Sequence, residues 1–374
     1  MIEAITGAEA VAYGAKLAKP GVVAAYPITP QSHITERISK FVADGEMDCQ
    51  YVNVDSEFSA ISCVVGASAT GVRTFTATAS QGVALMHEVL FAAAGMRLPI
   101  VMPVANRALS APINIWNDWQ DAISERDNGW VQLYCENAQE ALDTTIQAYR
   151  VAENNDVLLP TMVNLDGFYL THTVERVDIP DEKEVDKFLG KFEPQQIYLD
   201  PKRPMTQGPF AYPEYYYKIR HQVEVAIQNA KPVFKSVDAD YGTVFGRDYG
   251  ILEKTADSDT LILTMGTMVG NARVAAKELG CGVLKLKLYR PFPREEILEA
   301  VKGAKKIVII EKDVSFGLGS GVLFSEMRDL LYDADTHPIL SGWIAGMGGQ
   351  DISVEDVKKM VETGKDNKCE WWLP

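Results

Sequence analysis

Apolar and polar positions along the first 170 residues alternate in two registers. Short apolar runs bounded by Gly, Pro or polar clusters predict strands at 21–26 (GVVAAY), 50–54 (QYVNV), 73–78 (RTFTAT), 99–105 (PIVMPVA) and 157–164 (VLLPTMVN). Between them the spacing lengthens to the helical period, most clearly in EFSAISCVVGASATG and QGVALMHEVLFAAAGM. The opening ITGAEAVAYGAKLA predicts a helix with Thr6 as its cap. Strands alternating with helices of this length imply a mostly parallel sheet covered on both faces.

The pattern breaks at about 171–212, where VDIPDEKEVDKFLGKFEPQQIYLDPKRPMTQGPFAYP is rich in Pro and charge and shows little periodicity. This stretch predicts a long extended arm. A helix follows in PEYYYKIRHQVEVAIQNA, with Pro213 in its first turn. Its three tyrosines read as a packing surface against a neighbouring domain in preference to a ligand cage. A second α/β unit starts near 258, with strands in DTLILTMG, CGVLKLKLY and KKIVIIEK and helices between and after them. The expected division is therefore 1–240, carrying the arm, and 250–374, a small three-layer domain.

Composition narrows the function classes. Hydrophobic residues make up 47% and charged residues 23%, an ordinary globular balance, while the formal net charge is -15. A nucleic-acid binder needs a basic field, so that partner class is not expected. The five cysteines are scattered without a CxxC pair, so no metal site or iron–sulfur cluster is predicted from their spacing. No signal-like N-terminus and no run of about 18 apolar residues occurs, so the expectation is a cytoplasmic chain without a membrane span.

Candidate chemistry is positional. Ligands of open parallel sheets bind beyond the carboxyl ends of the strands. Just past four successive strands stand PITP (27–30), DSE (55–57), ASQG (79–82) and NRALSAPINIWNDWQD (106–121). They bring Thr29, Glu57, Ser80, Gln81, Asn106 and Arg107 toward one edge. Glu57 sits where a strand becomes an apolar helix, which predicts a partly desolvated carboxylate able to share a proton; a first-turn Glu favoured by the helix dipole is the alternative. Asp55 and Ser56 read either as site neighbours or as caps of that helix. Arg107 beside a Pro-framed Thr29 makes a carboxylate clamp, because guanidinium and carboxylate match as a bidentate fork; an ordinary ion pair is the alternative. Gly82 predicts a close backbone approach. FGLGSG (316–321) resembles a phosphate-binding turn, but its spacing lacks the third glycine of the dinucleotide fingerprint, and a packing turn is the better reading.

The stretches AYPITPQSHITERI, DSEFSAISCVVGASATGVRTFTATASQGVALMHEVL and MRLPIVMPVANRALSAPINIWNDWQDAISERDNGWVQLYCEN resemble the α subunit of 2-oxoacid:ferredoxin oxidoreductases, most closely the pyruvate enzymes. The resemblance continues through DGFYLTHTVE, LDPKRPMTQGP, LTMGTM, LKLYRPFP and IAGMGGQDIS, nearly the whole chain. It implies an α/β thiamine-diphosphate-binding fold of the pyrimidine type, followed by a domain like the C-terminal domain of transketolase. It implies that Glu57 hydrogen-bonds the aminopyrimidine of thiamine diphosphate, favouring the tautomer that activates the cofactor's reactive carbon. Thr29 and Arg107 then hold the substrate carboxylate. The GDG motif that anchors diphosphate and Mg²⁺ is missing, LDGF (165–168) being the nearest approach. The resemblance accounts for this by a β subunit carrying the diphosphate, Mg²⁺ and the proximal 4Fe–4S cluster, with further clusters on γ and δ subunits. It implies coenzyme A as acyl acceptor, ferredoxin as electron acceptor, and a chain inactive alone.

Substrate identity stays open at this level. Enzymes acting on 2-oxoisovalerate share YPITPQ and NRALSAPINIWND, and oxalate would call for a second cation beside Arg107. Asn117, Asp118 and Trp119 form a candidate substrate or interface loop. If it faces the substrate, Trp119 narrows the pocket toward small substrates such as pyruvate. A non-catalytic docking subunit is a further alternative, opposed by Thr29, Glu57 and Arg107 occurring together. A nucleotide-dependent dehydrogenase using FGLGSG is another.

Overall fold

Thr6 ends the first strand and begins the first helix. In the computed structural model, which describes residues 1–194 and 198–373, β1 (Ile2–Thr6) precedes the helix Gly7–Ala18. Thr6 Oγ1 accepts from Glu9 N at 3.2 Å, and Thr6 N donates back to Glu9 Oε2 at 3.0 Å. This capping box satisfies two otherwise orphaned donors. Thr6 thus caps as expected, but residues 2–6 are strand because they pair with a later segment.

The first sheet is built from β2 (Val22–Ala24), β3 (Gln50–Val52), β4 (Thr74–Phe75), β5 (Val101–Asn106), β6 (Val131–Cys135) and β7 (Thr161–Asp166). β5, β6 and β7 are buried along their whole length, as central parallel strands covered by helices on both faces must be. Their parallel register runs Val101↔Thr161 to Asn106↔Asp166 and Val131↔Thr161 to Cys135↔Leu165. Pro103 lies inside β5 on the side facing β4, since its carbonyl accepts from Thr78 N at 3.1 Å. Its missing N–H thins the ladder there, and β4 is only two residues long. The helix Ala138–Ala152 packs against Gly7–Ala18, where a Cβ on Gly14 would come within 2.9 Å of the Leu142 carbonyl.

The expected arm is partly structured. β8 (Val174–Asp178) pairs antiparallel with β1, from Ile2↔Asp178 to Thr6↔Val174, and the helix Glu182–Leu189 follows. Residues 190–194 and 198–212 carry no helix or strand longer than an isolated bridge; residues 195–197 of the expected arm lie outside the described residues. The helix that starts at Pro213 runs on to Phe245, through an internal Pro232. Tyr215, Tyr216 and Tyr217 are exposed, so among the described residues the expected packing surface is not buried.

The second sheet holds β9 (Leu252–Lys254), β10 (Thr260–Thr264), β11 (Gly282–Leu286), β13 (Lys306–Glu311), β14 (Ile339–Ile344) and β15 (Lys368–Trp371), in the order β15-β14-β13-β10-β11-β9. Only β9 is antiparallel. The strand between, β12 (Leu288–Arg290), crosses back to extend the first sheet, in the order β12-β6-β7-β5-β4-β2-β3. Trp119, Ile123 and Tyr134 from the first part share one apolar core with Leu263, Leu286 and Tyr289 of the second. Lys285 and Lys287 reach across to Glu140 at 2.9 and 2.6 Å. Among the described residues no helix is long and apolar enough to cross a membrane, and all five cysteines are free.

Candidate active site at the sheet edge

Glu57 is the first residue of the helix Glu57–Ala69, where Ser56 caps the turn by accepting from Ser59 N at 3.1 Å. Asp55 accepts from Ser59 Oγ at 2.6 Å. Both are therefore engaged in starting the helix. Glu57 itself is 8% exposed, and among the described residues its carboxylate has no hydrogen-bond partner. It faces Gly82, in the first turn of the helix Gln81–Gly95. A Cβ on Gly82 would stand 2.8 Å from Glu57 Cγ and 2.9 Å from Oε1, and would strike Thr78 Oγ1. The hydroxyls of Thr76 and Thr78 are likewise buried without a partner. A ligand with hydrogen-bonding edges fits a site whose buried polar atoms are left over in this way.

Arg107 follows β5 and is 6% exposed. Its Nη1 donates to the Thr29 carbonyl and its Nε to the Asn114 carbonyl, each at 2.9 Å. Among the described residues Nη2 has no partner. Thr29 is exposed in the turn that Gln31 N closes onto the Ile28 carbonyl at 2.7 Å. Pro30 is buried, and a Cβ on Gly167 would come within 2.8 Å of its ring. The glycine of LDGF thus admits the PITP corner. The sequence-predicted pair of Thr29 and Arg107 is brought together.

Asp121, which the sequence reading passed over, ties the strand tips. It is 1% exposed and accepts from Ser80 N at 2.8 Å, Arg107 N at 3.0 Å, Asn106 Nδ2 at 3.0 Å and Ala122 N at 2.7 Å. Burial pushes its carboxyl pKa upward, against the pull of these donors. Ser80 sits at φ 50°, ψ -122°, a strained conformation for a non-glycine residue. Its hydroxyl donates to the Ala108 carbonyl, and Gln81 Nε2 donates to Ser110 Oγ. Ser80, Asn106 and Asp121 thus frame Arg107, while Glu57 lies across Gly82. The only cue to Asp121 was a carboxylate closing a polar loop.

The loop of Asn117, Asp118 and Trp119, read as a substrate or interface loop, is buried in this chain. All three are buried against this chain's own second sheet. Trp119 Nε1 donates to Asp166 Oδ1 at 2.7 Å, and its ring packs against Tyr134. Lys312, past the end of β13, donates to Asp166 Oδ2 and to Asn117 Oδ1, both at 2.9 Å. Thr267 donates to Asp166 from both its backbone and its hydroxyl. Burial alone would raise the Asp166 pKa, but the Lys312 charge and these donors hold it below its ordinary value. Trp119 is fully buried, and its ring lies in the apolar core that the two sheets share. Asp118 accepts from Gln120 N at 3.1 Å and Gly348 N at 3.3 Å.

The FGLGSG turn leads into the helix Val322–Tyr332, whose first amides are already taken. Glu311 accepts from Leu323 N at 2.7 Å and Phe324 N at 3.1 Å, and Asp313 from Val322 N at 3.1 Å. Two carboxylates of this chain stand where a phosphate would bind, which opposes the dehydrogenase reading. Among the described residues no cluster of three His, Cys, Asp or Glu side chains could hold a metal ion.

Two family profiles match the chain. The family profile described as pyruvate flavodoxin/ferredoxin oxidoreductase, thiamine diphosphate-binding, matches residues 13–239, and that of pyruvate:ferredoxin oxidoreductase core domain II matches 258–357. Pyruvate synthase subunit PorA of Pyrococcus abyssi is 52% identical over 98% of this chain and 96% of its own. The PorA subunit of Methanocaldococcus jannaschii is 50% identical over 99% and 97%. Ketoisovalerate oxidoreductase subunit VorA of Pyrococcus horikoshii is 44% identical over 98% and 97%. Among solved structures, a 2-oxoglutarate:ferredoxin oxidoreductase from Magnetococcus marinus superposes with a TM-score of 0.74 at 19% identity, over 97% of this chain. This chain spans 65% of that one, and the likeness is one of fold.

Proposed function

The chain belongs to the pyruvate flavodoxin/ferredoxin oxidoreductase family, and from that premise we propose that it is the α subunit of a cytoplasmic pyruvate synthase. With β, γ and δ partners it would catalyse the reversible, coenzyme A-dependent oxidative decarboxylation of pyruvate to acetyl-CoA and CO₂, with electrons passing to ferredoxin. The observation that carries this reading is a Glu57 carboxylate without a partner among the described residues, at the same sheet edge as an Arg107–Thr29 clamp. The higher identity to the Pyrococcus abyssi and Methanocaldococcus jannaschii PorA subunits, 52% and 50%, than to the VorA subunit, 44%, favours pyruvate over 2-oxoisovalerate.

The residues at the edge fit the pyrimidine half of thiamine diphosphate. Bound there, that cofactor supplies the electron sink a 2-oxoacid needs to lose CO₂. Glu57 would hold a proton between its carboxylate and the ring. Gly82 keeps the space over that carboxylate clear, and the buried Thr78 hydroxyl offers a further hydrogen-bonding atom. Arg107 is oriented by two backbone carbonyls, and Nη2 is left for the substrate carboxylate. The diphosphate, Mg²⁺ and the 4Fe–4S clusters would sit on partner subunits, so the chain supplies half of an active centre.

The test is purification of the assembled complex, followed by a panel of 2-oxoacids with coenzyme A and a low-potential dye. Pyruvate should give the highest kcat/KM. Preference for 2-oxoisovalerate or oxalate would overturn the substrate assignment, and activity of this chain alone would overturn the half-site.

A further inference from the structure

We propose that Asn114 is a positioning residue through which the second domain sets the orientation of the substrate clamp, an inference that rests on Arg107 holding the substrate carboxylate. Asn114 lies in the loop between β5 and the short helix Gln120–Ile123, and nothing in its sequence context marks it. Three of its polar groups are engaged. Its carbonyl accepts from Arg107 Nε at 2.9 Å, its Nδ2 donates to the Gly348 carbonyl at 2.9 Å, and its Oδ1 accepts from Trp116 N at 2.7 Å. The side chain thus grips the second domain while the backbone grips the arginine.

The gripped turn is built for this contact. Gly346, Gly348 and Gly349 all have positive φ, so the GMGGQ turn after β14 folds tightly against the first domain. A Cβ on Gly348 would come within 2.7 Å of Asn114 Nδ2, and one on Gly349 would strike Trp116. Gly349 N donates to the Asn117 carbonyl at 2.7 Å, and Tyr169 donates from its hydroxyl to the Gly349 carbonyl at 3.1 Å. The Ala108 amide donates to the Trp116 carbonyl at 3.0 Å, which closes the loop over Arg107.

A continuous chain of hydrogen bonds therefore runs from the Gly348 carbonyl through Asn114 to Arg107 and on to Thr29. Arg107 has one fork arm, Nη2, left for ligand, and its direction is fixed by the bonds at Nε and Nη1. Releasing Asn114 from Gly348 frees the carbonyl that holds Nε. The guanidinium plane then turns, and the charge-assisted hydrogen bond from Nη2 to the carboxylate is lost before any step of the chemistry is touched.

The experiment uses the assembled complex with Asn114→Ala, Gly348→Ala, Arg107→Ala and the double variant of the first and third. Asn114→Ala should raise KM for pyruvate about tenfold with kcat changed less than about twofold, and with KM for coenzyme A unchanged. Gly348→Ala, which touches neither Asn114 nor Arg107 covalently, should reproduce that split and carries the test if Asn114→Ala does not assemble. In the Arg107→Ala background, Asn114→Ala should add nothing. If Arg107→Ala raises KM and the other two single variants do not, the relay is wrong while the clamp stands. If Arg107→Ala leaves KM unchanged, the clamp itself falls. Equal losses in kcat and in both KM values for Asn114→Ala would mark it as merely structural and overturn the inference.

Discussion

Arg107 donates from Nη1 to the backbone carbonyl of Thr29 at 2.9 Å, across a separation of 78 residues. The contact uses the threonine's main chain, so any residue at 29 could supply the acceptor, and among the described residues the hydroxyl has no partner. A lysine in place of Arg107 has no fork to divide between two carbonyls and a carboxylate. Arg107→Lys in the assembled complex should therefore raise KM for pyruvate by about 10–100-fold, on the order of 2 kcal/mol of lost binding. Steady-state kinetics with pyruvate varied at saturating coenzyme A would decide it, and an unchanged KM would remove Arg107 from substrate binding.

Glu57→Gln keeps the size and the helix start, since Ser56 does the capping, but it removes the ionisable oxygen. Exchange of labelled CO₂ into pyruvate should fall by about a hundredfold or more, the usual weight of a positioned acid–base group. Subunit assembly, followed by gel filtration, should be intact. Normal exchange would remove the carboxylate from the cofactor's chemistry.

Gly82→Ala separates stability from function. In a helix interior alanine is favoured over glycine by about 1 kcal/mol. Here the added Cβ would stand 2.8 Å from Glu57 Cγ, and overpacking of that kind costs about 1–3 kcal/mol. The expected outcome is a Tm no higher than that of the parent, with activity lost through displacement of Glu57. A raised Tm with full activity would show that the space over Glu57 is not used.

These residues differ in how visible they were beforehand. Glu57, Thr29 and Arg107 stand immediately after apolar runs, and the rule that ligands gather at strand tips finds such positions without coordinates. β8 and the helix Glu182–Leu189 were hidden in the Pro-rich, charged stretch, because the strand pairs with the very start of the chain and only one of its residues is fully buried. β14 was missed because ILSGWI carries Ser and Gly inside a buried strand. Asp121, Asp166 and Lys312 act through partners far along the chain, and a single sequence holds no local signal of such pairs. The burial of Trp119 is of the same kind: its indole donates to Asp166, 47 residues away, and its ring lies in the core that the two sheets share.

The Asp166–Lys312 pair ties that junction, with side chains 1% and 4% exposed. Removing one member of a buried pair leaves an uncompensated charge and costs about 3–5 kcal/mol, whereas replacing both with uncharged groups is far milder. Lys312→Met should therefore lower stability more than the double change Asp166→Asn with Lys312→Met. Chemical denaturation of the purified complex would measure the difference. Equal losses would mean that the pair contributes packing and no net charge compensation.

Asp118 makes the same junction pH-dependent. Burial first, and then the neighbouring Asp121 charge, raise its pKa from 3.8 to about 7. Between those values the folded chain keeps a proton that the unfolded chain has released. Its contribution to stability is thus complete below 3.8, and it is lost as pH rises through 7. The full contribution is on the order of a few kcal/mol. Asn at this position mimics the protonated acid at every pH, and its carbonyl still accepts from Gly348 N. Asp118→Asn should therefore flatten the fall in Tm between pH 5 and pH 8 and raise Tm at pH 8. The slope should shrink without vanishing, because burial also pushes the Asp313 carboxyl pKa upward. Melting curves of parent and variant across that range are the measurement; parallel curves would mean that Asp118 ionises as freely as an exposed carboxylate and does not weaken the junction when charged.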